Sequence, residues 1–135
     1  MKHLLFVYGS LKWGYGNHHI LGSSNLIDDG IIVGFKMYSM GAFPALVFDD
    51  SLDRTVGELY EISDATFQRC DNLEGYPNFY DRKMVKVYLS SPDDRDKCDT
   101  REAWVYFMHA PDGYMKPMQK KEDPGGYYSG DFYVW

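Results

Sequence analysis

The stretch LLFVYGSL, residues 4–11, determines how the chain begins to fold, because a continuous apolar run ends there at a glycine. Residues 4–8 are apolar at almost every position, which predicts a strand buried on both faces. Gly9 and Ser10 then end the strand in a turn. Glycine adds no side chain and permits unusual backbone conformations, so successive N–H groups of this opening turn (residues 8–11) can form a concave site for an anion such as a carboxylate. An ordinary turn without a ligand is the alternative.

The opening turn lacks the signatures of two common catalytic loops. A phosphate-binding loop requires Gly-Lys-Ser or Gly-Lys-Thr, whereas Lys12 here follows Leu11. A serine hydrolase presents its nucleophile within a Gly-x-Ser-x-Gly elbow, which does not surround Ser10. Nucleoside triphosphate chemistry and a Ser10 nucleophile are therefore not indicated.

Short segments rich in β-branched and aromatic residues recur along the chain and predict further strands. They cover residues 31–33, 35–40, 45–48, 56–62, 80–89 and 101–108, with a helical turn expected at residues 18–21. Polar residues 90–100 predict a surface hairpin loop, and residues 111–126 are rich in turn formers. The pattern predicts a single α+β domain over residues 1–135, a small mixed β-barrel with flanking short helices.

The clearest helix signal lies between Ser63 and Gly75. Ser63 or Asp64 is suited to the N-cap position, because its side chain can accept a hydrogen bond from the first turn. The helix is expected to continue through Glu74, until Gly75 and then Pro77 stop it.

One stripe of this helix, at about 100° per residue, carries Phe67, Cys70 and Glu74. A carboxyl on an apolar stripe destabilises the fold unless it is paired, hydrogen-bonded or protonated. Burial and the partial negative charge of the helix C-terminus both raise the pKa of such a carboxyl, which makes it a better general acid and base near neutral pH. Two alternatives remain: the last turn frays and Glu74 faces water, or Glu74 pairs with Arg82 or Lys83.

The overall charge of the chain limits its partners. Lys and Arg total 14 against 20 Asp and Glu, a net charge of -6, so neither a nucleic acid nor an anionic membrane is indicated. No apolar run is long enough for a signal peptide or a transmembrane helix. Cys70 and Cys98 favour two free thiols in a reduced, cytoplasmic protein over a single disulfide. His18 and His19 lack further ligands at suitable spacing, so no metal site is expected.

Three motifs carry a resemblance to a known family: Tyr-Gly-Ser-Leu at residues 8–11, Gly-Glu-Leu-Tyr at residues 57–60, and LEGYPNFYDR at residues 73–82. In order and separation they resemble the gamma-glutamylcyclotransferase-like family, and within it the gamma-glutamylamine cyclotransferases most closely. The stretches YSMGAFPALV at residues 38–47 and SGD at residues 129–131 extend the resemblance over most of the chain.

This resemblance implies a β-barrel with a pocket between the opening turn and a catalytic glutamate. By position in the motif, Glu74 matches the acid/base glutamate of the family. The opening turn matches the segment whose backbone holds the glutamyl group. Tyr80, the tyrosine of the Tyr-x-Arg match in the third motif, is expected to form a pocket wall. The implied substrate-binding residues are therefore Tyr8, Gly9, Ser10, Leu11 and Tyr80.

The implied reaction releases 5-oxoproline from a small gamma-glutamyl amine without a metal or other cofactor, because the α-amine of the substrate is itself the nucleophile. A gamma-glutamyl amino acid or a related acyl-amine is the alternative substrate. A non-catalytic small-molecule binding module of the same fold is the alternative from another functional class. The sequence indicates no particular oligomeric state.

Overall fold

The computed structural model describes residues 2–89, 99–110, 113, 115–122 and 130–135. In chain order its elements are β1 (Lys2–Val7), a 3-10 helix (His18–Leu21), β2 (Asn25–Val33), β3 (Phe35–Ser39), β4 (Pro44–Phe48), β5 (Arg54–Ser63), α1 (Asp64–Glu74), β6 (Asp81–Leu89), β7 (Thr100–Phe107), β8 (Lys116–Pro117), β9 (Lys121–Glu122) and β10 (Asp131–Phe132). Most of the expected hairpin at residues 90–100 lies outside the described residues, as do residues 111, 112, 114 and 123–126 of the turn-rich segment. So do Cys98 and Ser129.

Five strands form a closed barrel in the order β1-β5-β2-β6-β7. β1 pairs antiparallel with β5 along its whole length. It closes the barrel by pairing in parallel with β7, where Leu5 lies opposite Trp104. The other neighbouring strands of the barrel are antiparallel, so the barrel is mixed. The predicted fold, a small mixed β-barrel in an α+β arrangement, is confirmed.

Both faces of β1 are buried, as its apolar run predicts. Leu5 and Val7 belong to one hydrophobic cluster, and Phe6 belongs to another. β5 approaches β1 closely at Gly57, where an added Cβ would lie 2.4 Å from the carbonyl oxygen of Val7. β1 therefore connects two cores and carries the opening turn at its end.

Two of the short strands that suggest a barrel lie outside it. They form a separate sheet, in which β3 pairs with β4 on one side and with β8 on the other. The chain leaves the barrel at Gly34, whose φ of 106° would strain a residue with a side chain. The N–H of Met108 donates to the carbonyl oxygen of Leu46 at 2.8 Å, so this sheet packs against the end of β7. Residue patterns identify strands, but they do not identify the partners of those strands.

β2 begins at Asn25 rather than at the predicted residue 31. Its register with β5 shifts between Leu26 and Asp28, which breaks the regular alternation of buried and exposed side chains. The acidic pair Asp28 and Asp29 interrupts the apolar pattern at the same point. The first half of the strand therefore has no clear strand signal in the sequence.

Helix α1 begins and ends where its local signals predict. The hydroxyl of Ser63 accepts a hydrogen bond from the N–H of Thr66 at 3.1 Å. At the other end Gly75 adopts a left-handed φ of 65°, and the N–H of Tyr76 donates to the carbonyl oxygen of Asp71 at 3.0 Å. Neither helix in the described part of the chain combines the length and apolar content that a membrane span requires.

Candidate active site

A cavity of about 240 Å³ lies at the end of β1, the start of β4 and the end of α1. It brings together all the residues predicted to form the site, namely Glu74, Tyr8, Gly9, Ser10, Leu11 and Tyr80. The remaining lining residues are Phe6, Val7, Asn17, Phe43, Pro44, Leu73, Phe79 and Tyr106. The predicted residues are therefore neighbours in space, and their chemical roles stay predictions.

Glu74 is the last residue of α1 and follows the buried stripe of Phe67 and Cys70. No hydrogen bond to its carboxylate comes from any residue that the structure describes. Burial raises the pKa of Glu74 from its usual value of 4.5 to about 7. The carboxyl can therefore accept and release a proton at neutral pH.

Neither alternative environment predicted for Glu74 is found. Arg82 binds Asp71 instead. The Nζ of Lys83 lies 3.9 Å from the ring centre of Phe48. The last turn of α1 is capped, so it does not fray into water, and the Glu74 side chain lines the cavity.

Asp71, one turn before Glu74, is surrounded by hydrogen-bond donors. Nη1 of Arg82 donates to both of its carboxylate oxygens at 3.1 Å, and the hydroxyl of Tyr106 donates to one of them at 2.7 Å. We call Asp71, Arg82 and Tyr106 the anchor. The guanidinium also lies 4.0–4.8 Å from three ring centres, those of Phe67, Tyr76 and Trp104. The anchor therefore joins the end of α1 to β6 and β7.

The opening turn is held from two directions. Asn17 donates to Ser10 twice, from its backbone N–H to the carbonyl oxygen and from its side-chain amide to the hydroxyl, each at 2.9 Å. The N–H of Trp13 donates to the carboxylate of Glu58 on β5 at 2.8 Å. The N–H groups of residues 9–11 donate to no acceptor within the described ranges. The opening turn thus lines the cavity and has three N–H groups without an acceptor among the described residues, and such groups can bind an anion.

The structure gives Gly9 a different role from the one its sequence suggests. Its backbone is not in the left-handed region, so conformational freedom is not what requires a glycine there. An added Cβ would instead lie 2.8 Å from a ring carbon of Pro44. The carbonyl oxygen of Pro44 accepts the Tyr80 hydroxyl at 2.7 Å. Gly9 is therefore needed for close packing of β4, which in turn positions Tyr80.

Three buried tyrosines form much of the cavity wall. The hydroxyl of Tyr8 donates to the carbonyl oxygen of Tyr106 at 2.8 Å. Burial raises the pKa of Tyr8, Tyr80 and Tyr106, and the negative charge of Glu74 adds to the effect in each case. The phenols therefore stay protonated at neutral pH. Among the described lining residues, Glu74 is the group that titrates near neutrality.

Several residues that line the cavity were not predicted from the sequence. Phe43 and Pro44 lie within the motif at residues 38–47, but a motif gives no role to its individual residues. Leu73 directly precedes Glu74, and Phe79 directly precedes Tyr80. Their proximity to predicted site residues along the chain would have identified them. Tyr106 comes from β7, far away in sequence, and only the closed barrel brings it to the cavity.

Other residues that the sequence singles out lie in ordinary environments. Nδ1 of His18 is 2.9 Å from the carbonyl oxygen of Leu11. No cluster of three or more His, Cys, Asp or Glu side chains suited to a metal ion occurs among the described residues. Burial raises the pKa of Cys70 to about 12, so this thiol stays protonated.

Comparisons with known proteins identify relatives over most of the chain. The family described as gamma-glutamyl cyclotransferase, AIG2-like, matches residues 5–133. A Methanocaldococcus jannaschii protein that carries the name of a gamma-glutamylcyclotransferase is 36% identical over 104 residues, which cover 76% of this chain and 82% of that protein. Gamma-L-glutamyl-butirosin B gamma-glutamyl cyclotransferase from Niallia circulans is 30% identical over 115 residues, 80% of this chain and 68% of that protein. The crystal structure of an AIG2-like protein from Mus musculus superimposes with a TM-score of 0.68 at 26% identity, covering 82% of this chain and 80% of that one.

Proposed function

The chain belongs to the gamma-glutamyl cyclotransferase, AIG2-like family, and we propose that it converts a gamma-glutamyl amine into 5-oxoproline and the free amine. The family supports activity of the gamma-glutamylcyclotransferase type. The amine substrate, the 5-oxoproline product and the role of Glu74 are the proposal. One observation carries it: Glu74, with a pKa of about 7, lines the same cavity as the opening turn.

In the proposed reaction the substrate supplies its own nucleophile. The neutral α-amine attacks the gamma-carbonyl carbon, and the new C–N bond closes a five-membered ring. Glu74 takes a proton from the attacking nitrogen and gives it to the departing nitrogen as the original amide bond breaks. The proton and the bonds balance within substrate and glutamate, so the step needs no cofactor. The protein accelerates it largely by holding the chain curled.

The opening turn is suited to the negative charge of this substrate. The N–H groups of residues 9–11 can bind either the α-carboxylate or the oxyanion that develops on the gamma-carbonyl. The hydroxyls of Tyr8 and Tyr80 donate to backbone carbonyls, so these tyrosines build the wall instead of moving protons.

The charge of the cavity wall favours an amine as the leaving group. A gamma-glutamyl amino acid carries a second carboxylate on its leaving group, which is unfavourable to bury without a cation or several donors. None of the lining residues in the described part of the chain is Lys, Arg or His. The relative from Niallia circulans is named for gamma-L-glutamyl-butirosin B, which supports a gamma-glutamyl compound as the substrate.

Two substrates that differ in one carboxylate test the proposal. Gamma-glutamylpentylamide and gamma-glutamylnorleucine are incubated with the protein, and released 5-oxoproline is measured by chromatography. We expect kcat/KM to be at least about tenfold higher for the pentylamide, because even a neutral polar group buried without a partner costs about 1–3 kcal/mol and a carboxylate costs more. A preference for gamma-glutamylnorleucine would assign an amino-acid leaving group. If neither compound yields 5-oxoproline, the proposed reaction is wrong and a binding module is favoured.

The Glu74→Gln variant tests the proton transfer, because it keeps the shape of the side chain and removes its acid and base function. We expect kcat for the pentylamide to fall by about 10²–10⁴-fold. Glu102→Gln, an exposed position on β7, is the matched control. A Glu74→Gln variant that turns over the amide as fast as this control would exclude Glu74 as the acid and base.

A further inference from the structure

Three apolar side chains lie at the solvent-facing edge of the cavity. Leu73 and Phe79 line the cavity, although they are 40% and 46% exposed. Phe43 lies beside them, half-buried against the core. We call Phe43, Leu73 and Phe79 the apolar rim. Apolar side chains gathered around a cavity, unlike single ones scattered over a surface, mark a binding surface.

The apolar rim is held in one arrangement. The rings of Phe43 and Phe79 meet edge to face, with their centres 6.2 Å apart. Phe79 also packs edge to face on Tyr80, with 5.2 Å between ring centres. The N–H of Phe79 donates to the carbonyl oxygen of Gly75 at 2.8 Å, which ties its backbone to the end of α1. The exposed ring of Phe79 is therefore a preorganised surface.

The position of the rim matches the path of the leaving group. Leu73 directly precedes Glu74, and Phe79 directly precedes Tyr80. Glu74 is the group that protonates the departing nitrogen in the proposed reaction. The substituent on that nitrogen must then extend past Glu74 toward the open edge, where the rim lies. Glu74 is the one charged side chain among the described lining residues, so the rim offers contacts to hydrocarbon and none to an anion.

We propose that the apolar rim binds the substituent of the leaving amine and makes the enzyme select aliphatic chains, an inference that rests on the proposed function. Burying one methylene group corresponds to about a fourfold gain in affinity. kcat/KM therefore rises by up to about fourfold for each methylene that contacts the rim, and it levels off once the chain reaches water. Since ground state and transition state share this contact, the gain lies mainly in KM.

A series of gamma-glutamyl n-alkylamides, from methyl to hexyl, tests the inference by its slope. For each enzyme the logarithm of kcat/KM for 5-oxoproline release is plotted against chain length. We expect a rising slope in the unmodified protein and a markedly flatter slope in Phe79→Ala and Leu73→Ala. The matched controls are Phe48→Ala and Leu52→Ala, which remove side chains that are 44% and 89% exposed and lie outside the cavity lining. A partial loss of folded enzyme lowers kcat/KM for every amide by the same factor, so it does not change the slope of a variant's logarithmic plot.

The possible outcomes separate the rim from the reaction itself. A flat series in the unmodified protein would overturn the rim as a subsite while leaving the cyclisation intact. A slope that survives in both rim variants, or that falls equally in the two controls, would also overturn it. If no amide yields 5-oxoproline, the methylamide included, the proposed function is overturned, and with it the role of the rim as a subsite.

Discussion

Asp71 and Glu74 lie one turn apart and close together on α1, yet their environments treat a carboxyl in opposite ways. Asp71 receives hydrogen bonds from Arg82 on β6 and Tyr106 on β7. Glu74 lines the cavity and receives no hydrogen bond from the described residues, and burial raises its pKa to about 7. A carboxyl surrounded by donors thus has a structural role, whereas a buried carboxyl without donors can exchange a proton near neutral pH.

The two environments share residues. Arg82 is a cation that could pair with Glu74, and Asp71 binds it instead. Tyr106 lines the cavity, yet its hydroxyl donates to Asp71. Both donors are therefore committed to the neighbouring carboxyl. Among the described residues, none is left to donate a hydrogen bond to Glu74.

The largest stability effect that follows from this contrast is a pH dependence caused by Glu74. Below about pH 4.5 the carboxyl is protonated in both the folded and the unfolded chain. As the pH rises above about 4.5, the unfolded chain releases this proton first, so the penalty on the folded state grows until the pH passes about 7 and stays constant above it. At 1.36 kcal/mol per pKa unit, the penalty above pH 7 reaches about 3 kcal/mol. Glu74→Gln removes it.

Urea unfolding between pH 4 and pH 8 measures this effect. We expect Glu74→Gln to gain stability over the unmodified protein as the pH rises and to lose that advantage near pH 4. Glu102→Gln is again the control and should show no such trend. A stability difference that is the same at pH 4 and pH 8 would mean that Glu74 titrates alike in the folded and unfolded chains.

A smaller effect is expected on the anchor side. Asp71→Asn keeps the size of the side chain but leaves the guanidinium of Arg82 among aromatic rings without its counter-charge. We expect the free energy of unfolding to fall by about 2 kcal/mol, as for the loss of a largely buried, charge-assisted hydrogen bond. The free energy of unfolding is obtained from the urea midpoint and the slope of the transition, and the slope is compared between the variant and the unmodified protein.

Asp99→Asn is the matched control for the anchor, because Asp99 pairs with Arg101 on an exposed surface. Removing an exposed ion pair should lower stability by less than about 1 kcal/mol. Equal losses in the two variants would show that Asp71 acts as an ordinary surface charge. The contrast between Asp71 and Glu74 would then fail, because Asp71 would have no structural role.

The environment of Glu74 could be predicted in part, because its signals are local. Ser63 begins the helix, Gly75 ends it, and about 100° per residue places Glu74 in one stripe with Phe67 and Cys70. β1 follows from a short apolar run in the same way. Helix geometry predicts a buried carboxyl with a raised pKa, but it leaves fraying into water and pairing with Arg82 or Lys83 open.

The environment of Asp71 could not be predicted, because its partners are distant in sequence. Arg82 reaches Asp71 from β6, and Tyr106 reaches it from β7 across the closed barrel. The packing of Pro44 against Gly9 has the same origin, since β3 and β4 leave the barrel for a separate sheet. Periodicity shows which face of an element is buried, but it does not show what covers that face.

The central claim is that Glu74 titrates near neutral pH in the folded protein, and a carbon-13 NMR titration of its side-chain carboxyl tests this most directly. The signal is assigned as the resonance that disappears in Glu74→Gln, and it is followed from pH 4 to pH 9 in protein labelled at glutamate. We predict a midpoint near pH 7 for this signal. A midpoint at the usual value near 4.5 would contradict the account.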